Sequence, residues 1–513
     1  MTPCIGILAL LALGAPSVTL AQNPAVARAA GTITEADVRR RIGIISDDSM
    51  MGRNTPSPGL TKTANYVASE FKRLRLKPGG ENGSYLQNYP IYRKKLLADR
   101  SVVRFGSASG DQGARVTLAD GAAWGTFRLA VGPWKGGIVL VGGQGRTDSL
   151  PSSELRGKMV VYVTDWTKPG AGTRLQALTR VARDAGAIGV ISLINSDSVF
   201  NERYGNAAAR VYEVAGAGTV GLANIGLREG AITRQIPEAA ERFGALRQAP
   251  SAVVVPYPDW EGEVVLADTV LSTAQGPNMV GILEGSDPTL KNEYVVFSAH
   301  MDHVGKTGEL GAACRAMGAD SICNGADDDA SGTAGVLELA EAFSSGVRPK
   351  RSIIFLTVSG EEHGLWGSRW FVNNSPVPIK QVVANFNTDM IGRNWKDTIV
   401  AIGKEHSDLG STLNRVNAAH PELRMNAIDD RWPEEDFYRR SDHFNFAQKG
   451  VPVLFFFNGV HADYHRPGDT VDKIDAEKES RIVKLVFYTG LEVANAAKRP
   501  QWVPSSFQQI VTP

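Results

Sequence analysis

The stretch Ser352-Ile353-Ile354-Phe355-Leu356-Thr357-Val358 runs directly into Ser359-Gly360-Glu361-Glu362-His363-Gly364-Leu365. An uncharged, β-branched run of this length reads as a strand covered on both faces, as strands of a parallel sheet are. Two adjacent carboxylates then stand where the strand ends, the edge at which such sheets carry their functional groups. Ionised glutamates there repel each other and lose hydration, so a nearby cation accounts for them better than chance does. A solvated acidic turn is the plain alternative, and the rest of the chain has to decide.

The pattern recurs. Asn278 to Leu283, Glu293 to Ala299, Val382 to Asn387 and Val451 to Phe457 read as strands, and Gly332 to Ser345 as an Ala-rich helix with Val336, Leu339, Ala340 and Phe343 on one face. Apolar strands alternating with helices predict an α/β fold, a three-layer αβα sandwich around a mostly parallel sheet. Its strand ends carry Ala299-His300-Met301-Asp302-His303, Glu361-Glu362, Thr388-Asp389-Met390-Ile391-Gly392 and Tyr464-His465-Arg466-Pro467-Gly468-Asp469-Thr470. A fifth cluster, Asn324-Gly325-Ala326-Asp327-Asp328-Asp329-Ala330-Ser331-Gly332, opens the helix. Singly, a histidine at a strand end is usually structural, and an acidic triplet before a helix is usually a cap favoured by the helix dipole. Their convergence on one sheet edge is what chance does not supply. Histidine, aspartate and glutamate without cysteine suit two zinc ions that share a carboxylate and hold a hydroxide between them, which is hydrolase chemistry.

Length and charge bound the rest. A chain of 513 residues predicts two to four domains, and 55 Lys+Arg against 54 Asp+Glu leave no electrostatic footprint for nucleic acid. Residues 5–20 are apolar and end in Thr19-Leu20-Ala21, a small-residue cleavage pattern, so residues 1–21 read as a signal peptide and the protein as exported, periplasmic or extracellular. No other window approaches about 18 apolar residues, so the mature chain is expected to have no membrane span. Cys314 and Cys323 lie in a Gly/Ala-rich loop, where export favours a disulfide and two reduced thiols remain the alternative.

Residues 31–98 read as an N-terminal helical part of the catalytic domain. Thr34-Glu35-Ala36-Asp37 forms a capping box, and Leu60, Ala64, Val67, Phe71 and Leu74 form an apolar stripe. From 100 to 255 the texture changes to short β-like runs without a catalytic cluster, which predicts an inserted β-rich α+β domain. After Pro256 and Pro258 the strand–helix alternation takes over, giving a catalytic domain at 256–500.

Ser298-Ala299-His300-Met301-Asp302-His303, the Asn324–Gly332 cluster, Ser359–Leu365, Thr388–Gly392 and Asp463–Thr470 together resemble the di-zinc aminopeptidase family, in family order. That family includes bacterial leucyl aminopeptidases, glutamate carboxypeptidases and glutaminyl cyclases. Arg183-Asp184-Ala185-Gly186-Ala187-Ile188-Gly189-Val190-Ile191 is similar to the core of the protease-associated domain of secreted peptidases. The resemblance implies a secreted zinc exopeptidase acting on peptides, foremost an aminopeptidase, with glutaminyl cyclase-like or carboxypeptidase and dipeptidase activities as alternatives. It implies that His300 and Asp389 bind one zinc, that Glu362 and His465 bind the other, and that Asp328 bridges them. Asp302 would orient His300, and Glu361 would be the general base. Tyr464 would donate a hydrogen bond to the oxyanion, unless it is an aromatic wedge holding its loop. Ser441-Asp442-His443 reads as structural or pocket-lining. Trp366, Trp432, Tyr438 and Phe457 read as core residues more readily than as a pocket. Oligomeric state is not legible.

Overall fold

The computed structural model describes residues 24–511 apart from 108–112, 122, 127–129, 133, 148–149, 205–210 and 217–218; the expected signal peptide lies outside the described residues. The chain divides into two compact units, Met1–Asn88 with Gly276–Pro513, and Tyr89–Gln275.

In the first unit the labelled elements are, in chain order, α1 (Glu35–Ile45), α2 (Pro58–Arg73), β1 (Asp268–Leu283, of which residues 276–283 belong here), β2 (Tyr294–His300), α3 (Gly332–Ser344), β3 (Ser352–Val358), α4 (Trp366–Asn373), β4 (Val382–Thr388), β5 (Thr398–Ile402), α5 (Leu409–Ala419), β6 (Asn426–Ile428), α6 (His443–Gln448), β7 (Val453–Phe457) and α7 (Ala476–Asn495). The strands pair in the order β1-β3-β2-β4-β7-β5-β6. β3, β2, β4 and β7 run parallel, in registers such as Phe297↔Phe355, Phe297↔Phe386 and Phe386↔Leu454. β1 pairs antiparallel with β3 and β5 antiparallel with β7.

Alternation along each strand separates two cores. Val295, Phe297, Ile353, Phe355 and Phe386 join one core with α1, α2, α3, α5 and α7 residues such as Ile42, Phe71, Phe343, Leu413 and Phe487. Val296, Ile354, Leu356 and Phe455 face the other way and pack with Phe371 of α4 and Phe446 of α6. These are the two helical layers that an apolar parallel sheet requires. The α1 N-cap works as the sequence indicates: Thr34 Oγ1 accepts from the Asp37 amide at 3.1 Å.

The second unit carries an eight-stranded sheet in the order Gly113–Thr117, Val102–Ser107, Val253–Val265, Trp134–Gly142, Met159–Val163, Gly189–Ile194, Ala223–Arg228, Ala123–Thr126. Its limits differ from the 100–255 expected. Val253–Val265 pairs with both Trp134–Gly142 and Val102–Ser107, so Pro256 and Pro258 lie inside a strand, beside a register shift between Tyr257 and Glu261, where proline is tolerated. The prolines therefore mark an irregular strand and no domain boundary. At the other end Ile91 to Lys95 pair with Val211–Ala215, which takes the last residues of the expected 31–98 segment into this unit.

Cys314 and Cys323 are disulfide-bonded, and both are buried. Replacing both by serine is expected to lower stability by about 2–3 kcal/mol, the chain-entropy value for so short a loop. A urea titration reads this out; an unchanged midpoint would show that the crosslink does not restrict the unfolded chain.

Candidate metal centre

All the donors but Asp328 stand at or after a strand end. His300 is the last residue of β2, Asp389 follows β4, Glu361 and Glu362 follow β3, and Tyr464 and His465 lie in the loop after β7. Asp328 stands on the wide turn Ala326–Ser331 that leads into α3.

The Asp328 carboxylate lies between two imidazoles, with Oδ1 3.3 Å from His300 Nε2 and Oδ2 3.2 Å from His465 Nε2. His300 Nε2 is also 3.6 Å from Asp389 Oδ1, and His465 Nε2 is 3.1 Å from Glu362 Oε2. The structure thus brings together all five residues expected as ligands, in two groups that share Asp328. Among the described residues, His465 Nε2, Asp328 Oδ2 and Glu362 Oε1 are buried without a hydrogen-bond partner. Asp328, Asp329, Glu361, Glu362 and Asp389 crowd this edge with negative charge. Convergent, unpaired donors in an anionic setting fit a divalent cation.

The neighbouring aspartates have other work. Asp329 accepts amides from Gly332 at 2.8 Å, Met390 at 3.2 Å and His300 at 3.1 Å, although its carboxylate also falls within a metal-sized group with His300 and Asp389. Three amides occupy its two oxygens, so it reads as a backbone clamp. Asp327 Oδ1 accepts from the Gly392 amide at 2.6 Å and ties the turn to the Asp389 loop. Asp469 accepts from the amides of Asp327 and Asp328 at 3.0–3.2 Å and holds the turn from behind.

Asp302 stands beside the His300 ring and also reaches the turn that carries Glu361. His300 Nδ1 lies 3.2 Å from the Asp302 main-chain oxygen and 3.6 Å from its carboxylate. The carboxylate is engaged elsewhere, accepting from the Glu361 amide at 3.3 Å and from Thr55 Oγ1 at 3.0 Å, while Thr55 Oγ1 accepts from Gly360. Asp302 thereby holds the turn that presents Glu361 as well as the His300 ring.

Charge and burial separate the two glutamates. Burial raises the Glu361 carboxyl well above the usual range, and the negative charges of Glu362 and Asp442 add to this against the pull of His300. Burial and Asp328 also push Glu362 up, but the imidazoles of His303 and His465 outweigh them and hold it at about 2. His465 rises to about 10 because Asp328 and Glu362 overcome its burial. Burial, reinforced by the surrounding carboxylates, raises the Tyr464 phenol far above its usual value. Its ring stacks on His465 at 3.8 Å.

A cleft of roughly 400 Å³ opens over His300, Asp328, Glu361, Asp389 and Tyr464, and its remaining wall is Met390, Phe437, Arg440, Ser441, Phe455, Phe457 and Val460. Ser441 Oγ donates to Asp389 Oδ2 at 2.8 Å. Of the aromatic residues left open by the sequence, Phe457 lines the cleft, whereas Trp366 and Tyr438 are buried and Trp432 packs on Phe457. Sequence reasoning left out Arg53, Phe437, Phe455 and His303. Arg53 is wholly buried and donates to the carbonyls of Met301, Ile45, Asn324, Gly325 and Asp328. His303 Nδ1 lies 2.9 Å from Glu362 Oε1. His303 stood in a motif already noted and carried the only available signal.

An αβα sandwich with carboxylates and imidazoles converging at the ends of its parallel strands has the donors to hold divalent cations at that edge. Residues 278–490 match the model of Peptidase family M28. Similar proteins include a probable leucine aminopeptidase of Arthroderma otae, 28% identical over 45% of this chain and 66% of the relative. Aminopeptidase YwaD of Bacillus subtilis is 27% identical over 35% and 40% respectively. Leupeptin-inactivating enzyme 1 of Streptomyces exfoliatus is 30% identical over 39% and 40%. The chain thus spans between 40% and 66% of the length of these relatives. A solved aminopeptidase from Aneurinibacillus sp. strain AM-1 aligns over 92% of this chain and 97% of its own, at 19% identity and a TM-score of 0.49. Among the described residues no helix is long and apolar enough to cross a membrane.

Proposed function

We propose that this protein is an exported zinc exopeptidase of the aminopeptidase type, with His300 and Asp389 holding one zinc ion, Glu362 and His465 a second, and Asp328 both. The observation that carries this reading is the Asp328 carboxylate, whose two oxygens face two imidazoles at 3.3 and 3.2 Å. The disulfide and the apolar residues 5–20 favour an oxidising compartment. Similarity to curated aminopeptidases favours removal of N-terminal residues over the cyclase and carboxypeptidase alternatives.

Zinc bound here supplies Lewis acidity, polarising a carbonyl and easing the deprotonation of water. Glu361, with its raised affinity for a proton, accepts that proton and later delivers it to the departing amine. The Tyr464 phenol stays protonated and donates a hydrogen bond to the oxygen on which charge develops. Asp302 holds the Glu361 amide and so aims the base. Phe437, Phe455, Phe457 and Val460 offer an apolar surface for the substrate side chain, which favours leucine-like residues.

A rate panel of free and N-acetylated aminoacyl and peptidyl amides, with and without chelator, tests this reading. Free-amine substrates should be cleaved, acetylated ones should not, and chelation should stop turnover until zinc is restored. Equal cleavage of acetylated peptides, or turnover indifferent to chelator, would refute it.

A further inference from the structure

Beside the expected ligands stands an imidazole that the five-residue assignment does not use. His303 is fully buried, and neither of its ring nitrogens has a hydrogen-bond partner among the described residues. Burying an imidazole that way costs free energy unless something else satisfies it. Its Nδ1 lies 2.9 Å from Glu362 Oε1 and 3.6 Å from Asp328 Oδ2. The contact to Glu362 is short but not aligned as a hydrogen bond. Glu362 Oε1, Asp328 Oδ2 and His465 Nε2 are orphaned in the same way. His303, Asp328 and Glu362 offer atoms that all lie within 4.8 Å of one another, and His465 Nε2 approaches Asp328 Oδ2 at 3.2 Å. Tetrahedral ligands bonded to zinc at about 2.0–2.2 Å stand roughly 3.3–3.6 Å apart, close to these separations. The His303 and His465 rings meet edge to face at 5.5 Å and 82°, so they approach from different sides.

We infer that His303 is a fourth protein ligand at the metal position formed by His465, Glu362 and Asp328. The inference rests on the two-metal reading above and adds an asymmetry to it. Four protein donors close one position, as in structural zinc sites, whereas His300, Asp389 and Asp328 leave the other open to water and substrate. The two ions then differ in how tightly they are held, and the open one faces the cleft.

The test compares the full-length wild type with His303→Ala and His303→Gln by zinc content and by zinc affinity against a competing chelator. Thermal melts of the metal-free forms report on folding. Wild type should hold two ions per chain, and each variant should lose one, with affinity at that position falling more than about 100-fold. A residue that merely hydrogen-bonds to a ligand typically costs 10–100-fold. Variants that keep two ions with affinities within tenfold of wild type would overturn the inference and leave the two-metal reading standing. A wild type that binds fewer than two ions would sink both. Should the variants not fold, 15N-labelled wild type loaded with 111Cd decides: cadmium coupling to three imidazoles supports the assignment, and coupling to two overturns it.

Discussion

Glu361→Gln is expected to lower kcat by roughly 10²–10⁴-fold while zinc content stays at the wild-type level. Glutamine keeps the shape of the side chain and removes its ability to take a proton. The structure separates this residue from its neighbour: Glu362 meets His303 at 2.9 Å and His465 at 3.1 Å, whereas Glu361 has its amide held by Asp302 and lines the cleft. Glu362→Ala should therefore act in the opposite sense, lowering zinc content first and activity in consequence. Zinc per chain and single-substrate kinetics on both variants read this out. Equal metal loss in the two would end the proposed division of labour.

The largest effect on stability is expected at Arg53. Its guanidinium is wholly buried and donates to Met301 at 3.0 Å, Ile45 at 3.0 Å, Asn324 at 2.5 Å, Gly325 at 3.0 Å and Asp328 at 3.4 Å. These carbonyls belong to the end of α1, the loop after β2 and the turn that carries Asp328. Arg53→Met removes a buried cation and orphans five acceptors, and breaking such an arrangement typically costs 3–5 kcal/mol. Denaturant titration of metal-free protein isolates this cost from any change in zinc binding. A loss below about 1 kcal/mol would show that water replaces the guanidinium at little cost.

The catalytic layer was legible where periodicity and local motif coincide. β2, β3, β4, β7 and α3 are apolar runs long enough to be read singly, and the acidic and histidine residues at their ends follow from the same runs. β5, β6 and α4 to α7 were not drawn from the sequence. β6 spans only Asn426–Ile428, and α6 only His443–Gln448, too short to show a period. The limits of the inserted unit were misplaced because a proline inside a bulged strand has the same local signature as a linker. Arg53 was invisible for a different reason: its five partners lie at separations from 8 to 275 residues, and no local pattern encodes them. The resemblance implies only that Asp302 orients His300, from which its carboxylate lies 3.6 Å; that the carboxylate also accepts from Glu361 and Thr55, across 59 and 247 residues, has no local signature.

On the proposed function, the spread of the donors along the chain has a consequence for synthesis and export. His300 and His465, the two imidazoles that face Asp328, are separated by 165 residues, and the second follows β7 in the chain. A nascent or partly translocated chain, even one holding β2, β3 and β4, carries no complete constellation. On the proposed function, hydrolytic competence is thus gated by completion of the sheet, and topology itself delays the enzyme in the way a detachable propeptide delays others.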